Sequence, residues 1–482
     1  MKPASAVLRQ QMADLELQLA AQSQALDAAR SAVEATEARM RILQSELDSV
    51  TFAVETLPPE LISLIFRFVR YNDGNRLVSP QPLLGVCSVW RQVALGSSAL
   101  WTHIAVNIGK LPLPVDFPAA MLEWLARAGN LPLFLTIHGP SHYRFDINRL
   151  EPVFRRHSSQ MKELVLQDMS EKDIVAVDGW RQLSFPILED TVITVPQRDV
   201  YDVLDINFLL KDAPRLRNCK LVNIELTETL PWTHLTRFTV TPLITVSECV
   251  QAIRQLAELE YLDVELFCAG STSETPLVHT TLRELHLEIV DEMEEFFSAF
   301  TFPALEILDM GQTTDLESFD ASIIAFLDRS QPPLRELVLC AQSLDLLQHF
   351  TSKFALKVLT LDMPSRAIVD GFFGAYERDA EFCATLETLR FTIRATDRYL
   401  RRHDTSISAL ILPIAGRSIK QRRDALGASF ALTSFRVTRI QPPGSSSTIF
   451  LKPEKLDDLR NLKAGGMEIL LDVDEDGRGS LV

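Results

Sequence analysis

Close cysteine pairs, long apolar runs and positive charge are all scarce in this sequence. Its six cysteines are Cys87, Cys219, Cys249, Cys268, Cys340 and Cys383, and even the nearest two, Cys249 and Cys268, are too far apart for a CxxC pair. That removes the usual seed of a zinc or redox centre and leaves the thiols as small buried hydrophobes. Apolar runs stay short, as at Ala409–Leu412 before Pro413, far below the ~20 residues that span a bilayer. The opening MKPASAVLRQQMADLELQLA holds no apolar stretch resembling a secretory signal, so an intracellular chain with reduced thiols, in cytoplasm or nucleus, is expected. Lys plus Arg number 48 against 64 Asp plus Glu, a net charge of −16. This balance argues against a nucleic-acid partner, which needs cations for phosphate, and against an anionic membrane surface. G-x-S-x-G, P-loop and H-E-x-x-H motifs are absent, and the nine histidines are scattered. The tail Asp472, Asp474, Asp476 imitates the first half of a calcium loop, but its bidentate glutamate would fall beyond Val482. No catalytic residue, cofactor or metal is expected, and the chain reads as a non-enzyme.

What is present is ample core material: 46% hydrophobic and 23% charged residues in 482, enough for about three domains at roughly 150 residues each. Residues 4–50 contain no glycine or proline. Met12, Leu19, Leu26, Val33, Met40 and Leu47 recur every seven residues, and Leu8, Leu15, Gln22, Ala29, Thr36, Leu43 and Val50 form a second line three places later. This is the a/d spacing of a coiled-coil seam, which predicts a long helix and a homodimer through residues 4–50. A single amphipathic helix lying on its own protein is the other reading. Gln22, Ala29 and Thr36 weaken the second line, so a marginal dimer is expected rather than a rigid rod.

The next segment, Thr56-Leu57-Pro58-Pro59-Glu60-Leu61-Ile62-Ser63-Leu64-Ile65-Phe66-Arg67-Phe68-Val69, opens as a helix should, with proline in its first turn. Leu57, Leu61, Leu64/Ile65 and Phe68 repeat at helical spacing and predict one broad apolar face. After the polar connection Tyr71–Gln81 comes a second helical run, Pro82–Ala94, then Gly96 and Ser98-Ala99-Leu100-Trp101. LPPE opening a helix, an LL-x-V-C-x-x-W-R-x-V-A helix and a closing A-L-W together resemble the F-box, over about 50 residues. The connection Tyr71–Gln81 is longer than in a minimal F-box. The resemblance implies a small all-α domain that docks on a Skp-type adaptor of a cullin–RING ubiquitin ligase. By it, Leu57, Pro58, Glu60, Leu61, Ile65 and Leu83 would bind the adaptor, and Val86, Cys87, Trp90, Val93, Leu100 and Trp101 would form the F-box core. Independently, about 50 residues cannot bury so many large apolar side chains alone, which leaves some of them for a partner.

Beyond a helix at Phe117–Ala128 and an alternating strand at Leu131–Ile137, one pattern recurs: L-x-x-L-x-L. Its copies start at residues 161, 188, 216, 235, 259, 282, 305, 334, 356, 386 and 432. Periods mostly in the twenties with this core resemble leucine-rich repeats, one short strand per copy with a helix or turn returning. The Asn or Cys expected after each core is mostly missing, which predicts an irregular arc without a regular buried ladder. The gap 387–431 must hold an insertion. It contains a basic run, Arg394, Arg398, Arg401, Arg402, Arg417, Lys420, Arg422 and Arg423, read as the solvated face of an inserted helix ahead of a phosphate-binding cluster. Leu456–Leu462 and Met467–Leu471 predict a closing helix and strand.

Strand alternation predicts which side chains face outward: Tyr261, Asp263, Glu265, Glu284, His286, Glu288, Asp309, Glu336 and Asp362 in the middle, then Arg390 and Arg436. These are the candidate target-binding residues, acidic at the centre and basic at the C-terminal end. The expected plan is a coiled-coil helix over 1–52, an F-box over 53–110 and an irregular α/β leucine-rich-repeat solenoid over 111–482. The resemblance implies a substrate receptor of an SCF-type ubiquitin ligase holding an unknown target protein. The alternative is a scaffold whose F-box recruits no active ligase.

Overall fold

The computed structural model describes residues 3–49, 57–71, 81–109, 116–139, 146–180, 183–196, 204–205, 209–225, 232–266, 276–289, 293–310, 319–340, 343–362, 364–394, 401–440 and 456–473. Most of the polar connection Tyr71–Gln81, Cys268, Arg398 and the tail with Asp474 and Asp476 lie outside them. The chain divides into two units, Met1–Leu100 and Trp101–Val482.

The first unit is helical. Helix α1 runs over Pro3–Ser49 without interruption, as its lack of glycine and internal proline allows. Helix α2 (Pro59–Tyr71) begins where the Pro58 carbonyl accepts from the N–H groups of Leu61 and Ile62 at 3.0 and 3.1 Å. A single turn, α3 (Gln81–Leu84), precedes α4 (Ser88–Gly96). Cys87 caps α4: its Sγ accepts from the Trp90 N–H at 3.4 Å, a position usually held by serine, threonine, aspartate or asparagine. Sulfur is a weak acceptor, so Cys87→Ser should raise the stability of the unit by about 0.5 kcal/mol. A melting midpoint that falls on this substitution would refute the cap.

The second unit is α/β, built on one open parallel sheet of fourteen strands. Its strands are β1 (His103–Asn107), β2 (Leu133–His138), β3 (Met161–Gln167), β4 (Asp190–Thr194), β6 (Asn218–Val222), β8 (Arg237–Ile244) and β9 (Tyr261–Leu266). They continue as β11 (Glu284–Ile289), β13 (Ile307–Met310), β14 (Glu336–Leu339), β15 (Val358–Asp362), β16 (Thr388–Arg394), β17 (Ser434–Ile440) and β18 (Glu468–Val473). Two small pairs stand apart, β5 (Leu204–Asp205) with β7 (Ile224–Glu225) and β10 (Leu277–Val278) with β12 (Phe300–Thr301). Order in the main sheet follows order in the chain, with β1 and β18 at the edges. Parallel neighbours need crossovers. Helices on these crossovers are α5 (Phe117–Arg127), α6 (Glu151–His157), α7 (Glu171–Asp178), α8 (Val246–Gln255), α9 (Met293–Ala299), α10 (Phe319–Ser330), α11 (Leu344–Lys353), α12 (Arg366–Arg378), α13 (Arg401–Leu426) and α14 (Asp457–Ala464).

All eleven L-x-x-L-x-L copies are strands of this sheet, joined by β1, β2 and β18. Residues 103–107, grouped by sequence with the helix pair, are its first strand. In-register pairing aligns the repeat leucines in two inward rows. One passes through Leu262, Leu285, Leu308, Leu337, Leu359 and Leu389, the other through Val264, Leu287, Met310, Leu339, Leu361 and Phe391, all buried. Thr191 is the polar member of the first row; its hydroxyl donates to the Leu164 carbonyl at 3.0 Å. In place of a regular asparagine ladder, backbone groups satisfy one another past the strand ends, and the Asn223 side chain donates to the Val195 carbonyl. Ile108 donates to His138, Gly139 to Gln167, Met169 to Thr194 and Val195 to Val222, at 2.8–3.0 Å. Gly139 permits that approach, because a Cβ there would lie 3.0 Å from the Asp168 oxygen and the Met169 Cα.

Serine and threonine start several crossover helices: Ser170 with Asp173, and Thr245 with Glu248, form capping boxes on α7 and α8. Arginines close helix ends. Arg329 of α10 donates to the Phe297 and Phe300 carbonyls and the Thr301 hydroxyl, at the end of α9. The gap 387–431 does hold a helix, α13, but its basic run is not simply a solvated face. Arg422 is buried and donates to the carbonyls of Tyr376, Asp379, Ala380 and Phe382 at 2.6–3.0 Å, its guanidinium 4.0 Å from the Tyr376 ring centre. Those carbonyls lie at and just beyond the C-terminus of α12, where helix oxygens lack intrahelical partners. Lys420 pairs with Asp458 at 2.9 Å, and Arg423 donates to the Gly465 carbonyl.

Candidate functional site

Two surfaces carry the residues singled out by sequence, one in each unit. In the first unit α2 has two apolar sides, and only one is used internally. Ile62 and Phe66, one turn apart, are buried, and the Phe66 ring meets Trp90 edge-on at 4.9 Å. Leu61 and Leu64 are each 46% exposed and Ile65 is 38% exposed. Leu61, Leu64 and Ile65 of the expected apolar face are thus left exposed, and the core contact comes from Ile62 and Phe66 beside it, which the pattern passed over. The Phe68 side chain lies outside the described residues.

Among the expected adaptor contacts, Pro58, Glu60, Leu61 and Ile65 are exposed, while Leu57 and Leu83 are half-buried. Among the expected core residues, Leu100 is buried, and Cys87, Trp90 and Val93 are half-buried. Val86 is 58% exposed, contrary to expectation, because it sits in the turn between α3 and α4 and not on the packed face of α4. Trp101 is a core residue of the second unit, packed edge-on against Trp124 of α5 at 5.5 Å with Arg127 over its ring. Val89 and Leu95 add exposed apolar surface that the sequence reading missed. The helical wheel of α4 displayed both, but a wheel cannot tell a packed stripe from an open one.

On the second unit, outward residues also form rows. The first outward row includes Glu163, Asp190, Asn218, Arg237, Tyr261, Glu284, Ile307 and Glu336. The next includes Lys220, Thr239, Asp263, His286, Asp309, Val338, Thr360, Arg390 and Arg436. Glu265 and Glu288 are neighbours in a third row. The carboxylates of Asp263, Glu265, Glu284, Glu288 and Asp309 thus share the face of β9, β11 and β13. At its centre His286 Nδ1 lies 3.2 Å from Asp309 Oδ2, and its ring is 5.0 Å from that of Tyr261. Arg237 stacks on the other side of Tyr261 at 3.9 Å.

Crowding in these rows shifts protonation. Burial, opposed by His286, holds the Asp263 carboxyl above its usual range. Burial and then Glu288 raise Glu265; burial and then Asp190 raise Glu163. The hydrogen bond to Asp309 leads in raising His286 above 6.5. Burial lifts the Tyr261 hydroxyl. Each raised carboxyl marks a site where a second cation would be favourable.

The C-terminal part of the face differs from expectation. Asp362 is 2% exposed, because the third row is closed over at β15. Arg390 of β16 reaches across β15 to Glu336 of β14 at 3.2 Å, so the basic end is partly neutralised from within. Glu163, Asp190, Lys220 and Arg237 belong to the same rows and were missed; the L-x-x-L-x-L frame that located Asp263 places them one to four strands earlier.

Among the described residues no group of His, Cys, Asp or Glu has metal-holding geometry, and no helix is long and apolar enough to cross a membrane. Of the described thiols, Cys219, Cys249, Cys340 and Cys383 are buried, and burial pushes Cys383 up to about 12. A cavity of about 1010 Å³ opens on the helix side between α11 and the turn after α12, lined by His349, Lys353, Arg378, Glu381 and Thr385 among others. No protein-family model and no curated protein matches the sequence.

Proposed function

We propose that this chain is the target-holding subunit of an SCF-type ubiquitin ligase, with the helices after α1 acting as an F-box and the sheet as an irregular leucine-rich-repeat arc. The observation that carries this reading is the two-sided α2. Its inner side is already closed by Ile62, Phe66 and Trp90, so Leu61, Leu64 and Ile65 remain as an apolar surface on the segment that resembles an adaptor-docking motif. Large apolar residues grouped on one exposed helix side mark a partner site. The strict chain-order parallel sheet, with one strand per L-x-x-L-x-L copy, supports the repeat reading.

In this role the chain performs no bond chemistry. It binds a Skp-type adaptor and through it a cullin, in cytoplasm or nucleus, and raises the effective concentration of a target lysine near a ubiquitin-charged enzyme. The direct test is co-expression with a Skp-type adaptor followed by size-exclusion chromatography. Co-elution, with cullin joining the peak, is expected. Separate elution of a folded wild-type chain overturns the ligase reading and favours a scaffold.

The acidic rows favour a target segment rich in Lys or Arg, with electrostatics setting selectivity and on-rate. Two titrations act in the same direction. As pH rises through the raised values of Asp263 and Glu265, these carboxyls gain negative charge; as it rises through that of His286, a competing positive charge is lost. Affinity for a basic peptide should therefore increase, by roughly tenfold between about pH 5 and 8, and fall with added salt. Fluorescence anisotropy with an oligolysine peptide reads this directly. Affinity flat in pH and salt would rule out the acidic face as the binding surface.

A further inference from the structure

Every side chain described on α1, from Val7 to Leu47, is exposed. Its seam residues Leu8, Met12, Leu15, Leu19, Leu26, Val33, Met40, Leu43 and Leu47 are 53–68% exposed, an apolar line along a helix 47 residues long. Helices of this kind are stabilised by a packed partner and not by propensity alone. We propose that the partner is a second copy of the same helix, and that the two run antiparallel, with the dyad between Asp27 and Ala28.

Orientation follows from the three weak places in the seam. In a parallel pair each seam residue meets its own copy, so Gln22, Ala29 and Thr36 would make three poor layers, alternating with those of Leu26 and Val33. Gln22 would oppose Gln22, and the layers of Ala29 and Thr36 would be underfilled, each void costing of the order of 1 kcal/mol. In an antiparallel pair the two seam lines face each other. Centred on the dyad, Leu26 then meets Ala29, Val33 meets Gln22 and Leu19 meets Thr36. Every weak position faces a branched apolar one, large against small, which is how facing layers fill space. The same register places Leu8 on Leu47 and Leu15 on Met40, so the seam overlaps along its whole length and no strong layer is left unpaired.

Flanking charges do not favour the other choice. Parallel alignment would bring Gln11 to Glu16, Ala32 to Glu37 and Arg39 to Gln44, with no ion pair to specify it. Antiparallel alignment brings Glu16 near Glu37, a like-charge contact costing a few tenths of a kcal/mol in water, well below the gain from filling three layers. The rod would bury roughly 2,000 Å² in total, the size of a standard stable interface. At 1.5 Å per residue it is about 70 Å long, and the two chains leave it at opposite ends.

Sedimentation of the full-length chain, with cysteine pairing on the seam, tests this. Wild type is expected to sediment as a dimer at micromolar concentration, and Leu26→Glu at the central layer to weaken dimerisation about 100-fold. Met12→Cys chains co-expressed with separately tagged Leu43→Cys chains should give a mixed disulfide on mild oxidation. Met12→Cys alone should give no more cross-linked product than wild type. Self-cross-linking of Met12→Cys would show parallel helices and overturn the orientation. A monomeric wild type would overturn the pairing altogether.

Discussion

Arg422→Met is expected to destabilise the second unit by about 3–5 kcal/mol. The guanidinium is buried without an ion-pair partner among the described residues, and it is held by four carbonyl oxygens at and beyond the end of α12 together with the Tyr376 ring. Methionine fills comparable volume but donates nothing, so the buried carbonyls of Tyr376 and Phe382 lose their partner, and those of Asp379 and Ala380 are left to water. Each buried unsatisfied acceptor costs about 1–3 kcal/mol, and relaxation of the turn recovers part of it. Lysine keeps the charge but not the planar fork, so Arg422→Lys should lose roughly half as much. Denaturant unfolding of the full chain can be followed by tryptophan emission, since Trp101, Trp124, Trp180 and Trp232 all belong to this unit. Arg417→Met, at an exposed position of the same helix, is the control. Equal midpoints for the two variants would mean that Arg422 bears no structural load.

The second large effect sets neighbouring residues of α2 against each other. Leu61→Glu with Ile65→Glu should abolish co-elution with a Skp-type adaptor, a weakening of at least about 100-fold if each side chain is a buried anchor worth ~2 kcal/mol or more. The melting midpoint should move far less than for Phe66→Ala, because Leu61 and Ile65 are partly exposed and Phe66 is fully buried. Phe66→Ala should do the reverse. Losing a buried aromatic and its edge contact with Trp90 costs about 3–5 kcal/mol, so the first unit should unfold before its binding can be weighed. A Leu61→Glu, Ile65→Glu protein that melts early would mean these side chains serve the fold. One that stays folded and still binds would place the adaptor elsewhere.

Much of the second unit was legible because a repeat imposes a frame. Once L-x-x-L-x-L is found, alternation assigns inside and outside, and it puts Asp263, Glu265, Glu284, His286 and Asp309 together on one face, where the strand pairing also has them. The frame failed at Asp362, which is buried, and where an outward cation finds a carboxylate of the adjacent outward row, as Arg390 finds Glu336. Neither signal is local: Glu336 and Arg390 are 54 residues apart in sequence. On α2 the difficulty was different. Leu61, Ile62, Leu64, Ile65 and Phe66 form one apolar arc over about half of the helix, and periodicity cannot say which edge of it meets Trp90.

By itself, then, the sequence determined the local periods: a seven-residue seam over residues 4–50, a proline-opened helix, and eleven strand cores whose spacing dictates a parallel sheet with returning crossovers. These are decided by which side chains recur at 3.5, 3.6 or 2 residues, and that information is contained in the chain order. Tertiary structure decided which of two apolar sides of α2 is left in water, and that backbone groups, joined by the Asn223 side chain, carry the ladder past the strands. It also decided that one arginine of a basic run is an interior cap and not a surface charge. Each of these depends on what lies across from a residue at a distance of several angstroms and many positions in sequence, where burial and unsatisfied carbonyls set the free energy and no local pattern records them.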